Sequence, residues 1–332
     1  MASSPKLRKG TALGLGLALT LASCASDERP FLLPPDAVQA ATPTTAVSTT
    51  GPTPPTTADP GEPLALITPT GVVVPILEVG EGGYLVQTPC QEQATLTFGT
   101  PLREVDVVLD PGHGGEIETG AVGPNGLTEK DLNLRLSKLT ALRISERGFT
   151  VALTRTNDYR VPLITRAQIA DTLKAEALIS IHHNAPVLAD SDTPGSEIFY
   201  QTASLQSARL GGLIQEEVLE ALSAFDDVDW VSAADAGVLG VLKPDGTESY
   251  GMIRRPETTA VLAELGYLAN PSEAELFASD EYVEVAAEAL ANAVERFLST
   301  NESGVAPNDQ NRTFTPTGGT GGVAGCTDPA LE

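Results

Sequence analysis

The chain contains only three histidines, and their positions favour a metal site. His113 follows the apolar run 105–110, and His182 and His183 follow the apolar run 177–181. Each run predicts a buried strand that breaks into Gly, Pro or Asn. Ligands of open α/β sheets bind beyond the carboxyl ends of the strands, so the imidazoles are expected to meet at one edge of a sheet. A catalytic zinc needs three protein ligands and one open position, and the pattern predicts a site of this type.

The third ligand is expected to be a carboxylate. Because His182 and His183 are neighbours in a strand, they point to opposite faces, and only one of them can bind the same ion as His113. Glu129 is the best carboxylate candidate, since it lies in the first turn of a predicted helix, where the helix dipole stabilises negative charge. The alternative is that Glu129 only compensates this dipole.

A second carboxylate, Glu264, lies inside the apolar run 259–267. An unpaired carboxylate is costly to bury, and desolvation would raise its pKa. Beside a zinc-activated water, it could take up a proton and later deliver it to a leaving amine. The alternative is a salt bridge to Arg155, Arg254 or Arg255.

Strands and helices alternate from about residue 103 to residue 298. This order predicts an α/β fold with a mixed, mostly parallel twisted sheet flanked by helices. Strands are predicted at 105–110, 150–154, 177–182, 197–200 and 259–265, and helices at 128–147, 163–174, 204–222 and 280–298.

A small β module is predicted at 63–100, where β-like runs are split by the glycine-rich turn 80–83. About forty residues bury too little core to be stable alone, so we expect the module to pack against the following domain. A wall-binding role is the alternative.

The two ends of the chain have the composition of non-globular segments. Residues 1–23 combine basic residues with an apolar run that is too short to span a bilayer, which predicts a signal peptide. Cys24 follows Leu-Ala-Ser as in a lipobox, so we expect it to be lipidated; an ordinary secretory signal is the alternative. The Thr- and Pro-rich residues 24–62 predict a disordered tether, and residues 299–332 predict a disordered tail.

Charge restricts the partners. The net charge is −24, and removal of residues 1–23 would make it −27. Such a surface repels nucleic acid and anionic lipid headgroups, so nucleic acid is excluded as a partner and the membrane is expected to be contacted only through the lipid anchor.

Cys90 and Cys326 would be exposed to oxidising conditions outside the cytosol. They could form a disulfide, and two free thiols are the alternative.

Several motifs in order resemble those of the zinc-dependent N-acetylmuramoyl-L-alanine amidases of the type-3 amidase family, over roughly residues 103–298. The motifs are Asp110-Pro-Gly-His113-Gly-Gly, Glu129-Lys-Asp-Leu-Asn-Leu, Thr154-Arg155 with Asp158 and Arg166, Ser180-Ile-His182-His-Asn184-Ala, Gly195-Ser-Glu197 and Glu264-Leu-Gly-Tyr-Leu-Ala-Asn270-Pro. Each motif alone is unspecific, whereas their common order is specific.

The resemblance implies a peptidoglycan hydrolase that cleaves the amide between N-acetylmuramic acid and L-alanine of the stem peptide. It implies one zinc ion per chain, bound by His113, Glu129 and His182, with Glu264 as the catalytic base and acid. His183 is then a neighbour that does not bind the ion. Residues implied to contact substrate or to support the ligands are Asn184, Arg155 and His183.

The predicted signal peptide and lipidated Cys24 indicate an extracytoplasmic location, with the protein lipid-anchored and facing the cell wall. An activator of unknown identity is a further candidate partner. Alternative functions are another zinc peptidase or deacetylase acting on wall material, and a non-catalytic wall-binding lipoprotein.

Two segments depart from the family. Residues 186–194 are too short to hold the regulatory helix that some members carry there. Residues 224–258 are unusual and could line the cleft. Trp230 in this segment could stack on a sugar, or it could be a buried core residue.

Overall fold

A computed structural model describes residues 61–186, 188–317 and 321–332. The predicted signal peptide, Cys24 and all but the last two residues of the predicted tether lie outside these ranges. Among the helices of the described residues, none combines the length and apolarity needed to cross a membrane.

The first five strands form an antiparallel sheet in the order β4-β3-β2-β1-β5. They are β1 (Ala65–Ile67), β2 (Val73–Gly80), β3 (Gly83–Gln87), β4 (Gln93–Leu96) and β5 (Thr100–Leu102). Strands β2 and β3 meet at the predicted glycine turn, where Gly80 pairs with Gly83. Ala65, Val73 and Leu102 share a buried core with Val108 and Leu178 of the following domain, so the module packs against that domain as its small size predicted.

The remaining strands and helices alternate along the chain. The helices are α1 (Glu129–Glu146), α2 (Leu163–Thr172), α3 (Leu205–Leu222), α4 (Gly251–Arg254), α5 (Pro271–Phe277) and α6 (Asp280–Ser299). The strands are β6 (Val107–Pro111), β7 (Val151–Leu153), β8 (Ala177–Asn184), β9 (Ala189–Ser191), β10 (Glu197–Tyr200), β11 (Trp230–Ser232), β12 (Gly237–Leu239), β13 (Val241–Leu242), β14 (Ala260–Tyr267) and β15 (Arg312–Thr313).

Six of these strands form the central sheet, in the order β12-β10-β14-β8-β6-β7. Only the β10–β14 pair is antiparallel, so the predicted mixed, mostly parallel sheet is confirmed. Helices α1, α3 and α6 share one core with the sheet, and α6 buries its apolar positions Ala286, Leu290, Ala293 and Phe297 there. A second core holds residues of α2, α4 and the first sheet, so the central sheet is covered on two sides.

The prediction of a disordered C-terminal tail is wrong for the described residues beyond 299. Strand β15 pairs in parallel with β13, and Cys326 forms a disulfide with Cys90. The Asp328 carboxylate accepts hydrogen bonds from the Thr88 hydroxyl and the Cys90 amide, both at 2.7 Å. Composition predicted disorder because the tail has few apolar residues, but a covalent link and specific polar contacts order it instead.

The segment 224–258 forms β11, β12, β13 and α4. Trp230 in β11 is 4% exposed and belongs to the main core, so the alternative of a sugar-stacking tryptophan is wrong. Strand β11 pairs with β9, which lies within the short segment 186–194. The described residues of that segment therefore hold a strand where some relatives were expected to hold a regulatory helix.

Candidate metal centre

Adjacent parallel strands bring His113 and His182 together. Strands β6 and β8 pair so that Pro111 lies opposite Ile181, and the next residues of both strands reach the carboxyl edge of the sheet. Gly112, the residue before His113, is tightly packed against His182: a Cβ atom at this position would lie 2.3 Å from Cε1 of the His182 ring. A larger residue at position 112 would displace the His182 ring.

Glu129 bridges the two histidines. Its Oε2 lies 3.1 Å from Nε2 of His113, and its Oε1 lies 2.9 Å from Nδ1 of His182. One nitrogen or oxygen atom from each of the three residues lies within 4.8 Å of the others. The set fits zinc, which accepts two imidazole nitrogens and one carboxylate oxygen in catalytic sites, and the 30% exposure of the His113 side chain leaves one side open.

The Glu129 carboxylate is positioned by its surroundings as well as by its helix. It is the first residue of α1, and its oxygens accept hydrogen bonds from the amides of Ala121 at 2.8 Å and His183 at 3.2 Å. Gly120 allows this approach, because a Cβ atom at that position would lie 2.4 Å from Glu129 Oε2. These contacts fix both carboxylate oxygens towards the imidazoles.

Electrostatics favours the protonation states that bind a metal. Burial opposes ionisation of Glu129, but hydrogen bonds with His113 and His182 outweigh it and hold the pKa of the carboxyl well below its usual value. Burial also lowers the pKa of His182. The site therefore presents a carboxylate and a neutral imidazole, the forms in which these side chains coordinate zinc.

His183 lies on the opposite face of β8. Its Nδ1 is 2.7 Å from Asn133 Oδ1, and its Nε2 is 2.6 Å from the Tyr282 hydroxyl. The residue is 1% exposed, and burial lowers its pKa to about 3. His183 is therefore a neutral, hydrogen-bonded core residue that does not line the cavity of the metal centre.

Glu264 faces the same cavity as the histidines. The cavity has a volume of about 510 Å³, and its walls include His113, His182 and Glu264. Strand β14 pairs in parallel with β8 and sets Glu264 opposite His182. Within the described part of the chain, the buried Oε2 of Glu264 has no hydrogen-bond partner.

The Glu264 carboxyl is suited to carry a proton. Burial raises its pKa well above the usual value, and the negative charges of Glu129 and Glu197 act in the same direction. The alternative of a salt bridge from Glu264 is not seen. Arg155, Arg254 and Arg255 all lie in the described part of the chain, and none of them forms an ion pair with Glu264.

A buried ion pair supports the loop of His113. Arg166 donates to Asp110 Oδ1 at 2.7 Å and to the His113 carbonyl at 2.7 Å. The other Asp110 oxygen accepts a hydrogen bond from Ser180 at 2.6 Å. Asp110 is fully buried, so this pair connects β6, β8 and α2 beneath the metal centre.

Arg155 has a similar supporting position. Its fully buried guanidinium donates to the carbonyls of Pro111 and Gly112, each at 3.0 Å, and to the carbonyl of Lys130 at 2.7 Å. The residue does not line the cavity. The structure thus places Arg155 under the loop and away from the position that a substrate would take.

Sequence reasoning gave no role to Glu197, although it noted the surrounding motif. Glu197 is 2% exposed and lies opposite Glu264 on the antiparallel strand β10. Its Oε2 accepts a hydrogen bond from Asn184 at 3.0 Å, and its Oε1 is ion-paired with Arg312 of the tail. The predicted residue Asn184 is therefore engaged with Glu197. No sequence signal linked Glu197 to an arginine 115 residues away.

Comparison with known proteins adds a family match. Residues 107–296 match the family model described as N-acetylmuramoyl-L-alanine amidase. The β module and the C-terminal tail lie outside the matched residues. The candidate metal ligands His113, Glu129 and His182 lie inside them, as do Glu264 and the buried Asp110–Arg166 pair.

Individual relatives also match a large part of the chain. The uncharacterized protein YqiI of Bacillus subtilis is 32% identical over 218 residues, which are 65% of this chain and 93% of YqiI. The N-acetylmuramoyl-L-alanine amidase AmiC of Neisseria meningitidis is 26% identical over 59% of this chain, and the match spans only 53% of AmiC.

A solved structure has a similar fold. The crystal structure of an N-acetylmuramoyl-L-alanine amidase from Clostridium difficile 630 aligns with a TM-score of 0.50 and 27% sequence identity. The alignment covers 60% of this chain and 99% of the other.

Proposed function

Since the chain belongs to the N-acetylmuramoyl-L-alanine amidase family, we propose that it is a zinc-dependent peptidoglycan amidase. It hydrolyses the amide between the lactyl group of N-acetylmuramic acid and the L-alanine of the stem peptide. The observation that carries this proposal is that His113 and His182, which form a donor cluster with Glu129, line the same cavity as Glu264, whose Oε2 has no hydrogen-bond partner among the described residues.

His113, Glu129 and His182 would hold the ion. Bound zinc supplies Lewis-acid polarisation of the scissile carbonyl and lowers the pKa of the attacking water. Glu264 takes one proton from this water as the new C–O bond forms, and then delivers a proton to the amine nitrogen as the C–N bond breaks. The products are the carboxylic acid of the lactyl group and a stem peptide with a free L-alanine amino group.

The buried groups under the site keep these residues in place. Asp110 and Arg166 fix the loop that carries His113, while Arg155 binds the carbonyls of the same loop. Support of this kind keeps metal ligands in the orientation that the ion needs. Arg155 and Arg166 are therefore positioning residues in this proposal.

We further propose that the protein acts outside the cytoplasm and is anchored by lipid on Cys24. The basic and apolar residues 1–23 and the tether up to residue 62 support this, and the charge of −27 that remains without residues 1–23 is consistent with contact through acyl chains alone. A Cys24→Ser variant should be released from the membrane fraction into the soluble envelope fraction. Retention of this variant in the membrane would contradict the lipid anchor.

Digestion of purified sacculi tests the activity directly. The zinc-loaded protein should release peptides with a free L-alanine amino terminus and leave intact N-acetylmuramic acid, as identified by mass spectrometry. New ends within the peptide would indicate a peptidase, and loss of acetyl groups would indicate a deacetylase. Binding to sacculi without any new ends would indicate a wall-binding lipoprotein.

A further inference from the structure

Two adjacent arginines, Arg254 and Arg255, form part of the wall of the cavity that contains the metal centre. Both residues are exposed. The cavity volume of about 510 Å³ lies within the range of small-molecule sites, so a ligand that reaches Glu264 can also reach this wall.

Helix α4 fixes the position of the pair. Met252 and Ile253 are 2% and 3% exposed and pack into the second core, so they anchor the helix. Tyr250, just before the helix, stacks on Phe199 with ring centroids 4.7 Å apart. Arg254 therefore follows a well-packed segment, and its Nη1 donates to the Glu248 carbonyl at 2.5 Å.

Neither arginine has an acidic partner among the described residues. Within the described ranges, no carboxylate lies within ion-pair distance of either guanidinium, although the chain carries 44 acidic residues against 20 basic ones. Two other charged residues of the cavity wall are neutralised by arginines, since Asp110 is paired with Arg166 and Glu118 is paired with Arg160. Arg254 and Arg255 thus place uncompensated positive charge at the cavity of an otherwise acidic protein.

We propose that Arg254 and Arg255 form an anion subsite that binds a free carboxylate of the stem peptide, beyond L-alanine. The proposal rests on the proposed amidase function and deepens it. The lactyl carboxyl of N-acetylmuramic acid is consumed in the scissile amide, whereas acidic residues farther along the peptide keep free carboxylates. Guanidinium groups bind carboxylates through paired charge-assisted hydrogen bonds, so the subsite makes the enzyme selective for acidic stem peptides.

A matched pair of synthetic muramoyl peptides tests the subsite. The two ligands are identical except that the carboxylates beyond L-alanine are free in one and amidated in the other. Calorimetry with the full chain carrying Glu264→Gln measures binding without turnover. We expect the free-acid ligand to bind about tenfold more tightly than the amidated ligand, with a preference that weakens as salt increases.

Replacement of the arginines should remove this preference. In Arg254→Gln/Arg255→Gln, the free-acid ligand should lose about tenfold in affinity and the amidated ligand should lose little. The single variant Arg255→Lys keeps both positive charges, so it should show more of the preference than the double glutamine variant. Arg103→Gln removes the same charge from a residue that does not line the cavity, so it should leave the preference unchanged. Equal binding of both ligands to the parent protein would overturn the proposal, as would an unchanged preference in the double variant.

Hydrolysis of the same ligands separates this proposal from the amidase proposal. If the enzyme with Glu264 intact cleaves neither ligand, the amidase function fails, while the binding comparison still decides the anion subsite. A poly(glycerol phosphate) competitor distinguishes a wall-polymer phosphate from the peptide. Tight binding of this polymer that depends on both arginines, together with equal binding of the two peptides, would overturn the peptide carboxylate as the ligand.

Discussion

Glu264 and Glu197 are opposite each other on neighbouring antiparallel strands, yet only Glu197 is paired with a cation. Arg312 from the C-terminal tail neutralises Glu197, and Asn184 donates to its other oxygen. Glu264 keeps a buried oxygen without a hydrogen-bond partner in the described structure. The two carboxyl groups thus have different surroundings: Glu197 is held by an ion pair and a hydrogen bond, whereas Glu264 keeps an oxygen available to a ligand.

The free carboxyl of Glu264 predicts a selective loss of activity. Glu264→Gln should lower kcat by about 10²- to 10⁴-fold, because an amide cannot transfer the proton. Zinc content should stay at about one ion per chain, since the residue is outside the donor set. Glu81→Gln is the matched control, because Glu81 is exposed in the β module and lies outside the cavity wall. A near-normal rate in Glu264→Gln would refute the role of Glu264.

The opposite orientations of His182 and His183 predict different consequences of their loss. His182→Ala should lose zinc, as measured by metal analysis after dialysis, because a donor of the metal centre is removed. His183→Ala should retain zinc but lower the free energy of unfolding by about 2–4 kcal/mol, because it leaves a cavity and unpaired polar groups in the core. Zinc loss in His183→Ala together with zinc retention in His182→Ala would reverse the ligand assignment.

The central sheet was predictable because its strands and helices carry strong local signals. Apolar runs that end in Gly, Pro or Asn identified β6 and β8, and the helix predicted at 128–147 corresponds to α1. The meeting of His113 and His182 followed from a general property of parallel sheets, whose strand ends share one edge. Glu129 was identified separately, by its position in the first turn of a predicted helix. These features depend on short sequence windows and on one rule of topology.

Contacts between distant segments were not predictable in the same way. Arg312 and Glu197 are 115 residues apart, and the composition around Arg312 indicated disorder. Cys90 and Cys326 could pair, but their distance was not encoded in any local pattern, and the structure shows Cα atoms 5.5 Å apart. Residues outside regular elements are ordered by individual long-range contacts, which leave no periodic signal in the sequence.

The ion pair of Arg312 and Glu197 predicts coupling between the tail and the catalytic sheet. Arg312→Ala leaves a carboxylate that is only 2% exposed without its cation, and should lower the free energy of unfolding by about 3 kcal/mol at pH 7. In the double variant with Glu197→Gln, the loss should be smaller than the sum of the single losses. Urea denaturation measures both effects. Strict additivity would show that the two residues do not interact.

The disulfide predicts that reduction destabilises the protein. It links residues 236 positions apart, so it restricts the unfolded chain over most of the described residues. Cys90→Ser/Cys326→Ser should lower the free energy of unfolding by about 2–4 kcal/mol. Dithiothreitol should produce a similar loss in the parent protein and no further loss in the double variant. If dithiothreitol destabilised both proteins equally, its effect would not come from the Cys90–Cys326 disulfide.

The buried pair of Asp110 and Arg166 predicts a pH-dependent stability. Burial alone would raise the pKa of Asp110, but the charge of Arg166 and hydrogen bonds from Ser180 and Thr154 outweigh it, so the pKa lies below the usual value of 3.8. A lowered carboxyl pKa stabilises the folded state above pH 3.8, and this contribution is lost as the pH falls through the folded-state pKa.

Arg166→Met should therefore be most destabilising near neutral pH. There it leaves a fully buried carboxylate without its cation, which should cost about 3–5 kcal/mol in the free energy of unfolding. As the pH falls towards 4, Asp110 of the variant can take up a proton, so the difference from the parent protein should shrink. Urea denaturation of metal-free protein between pH 4 and pH 7 measures the trend. A constant difference over this range would show that Arg166 stabilises the site by packing and not by its charge on Asp110.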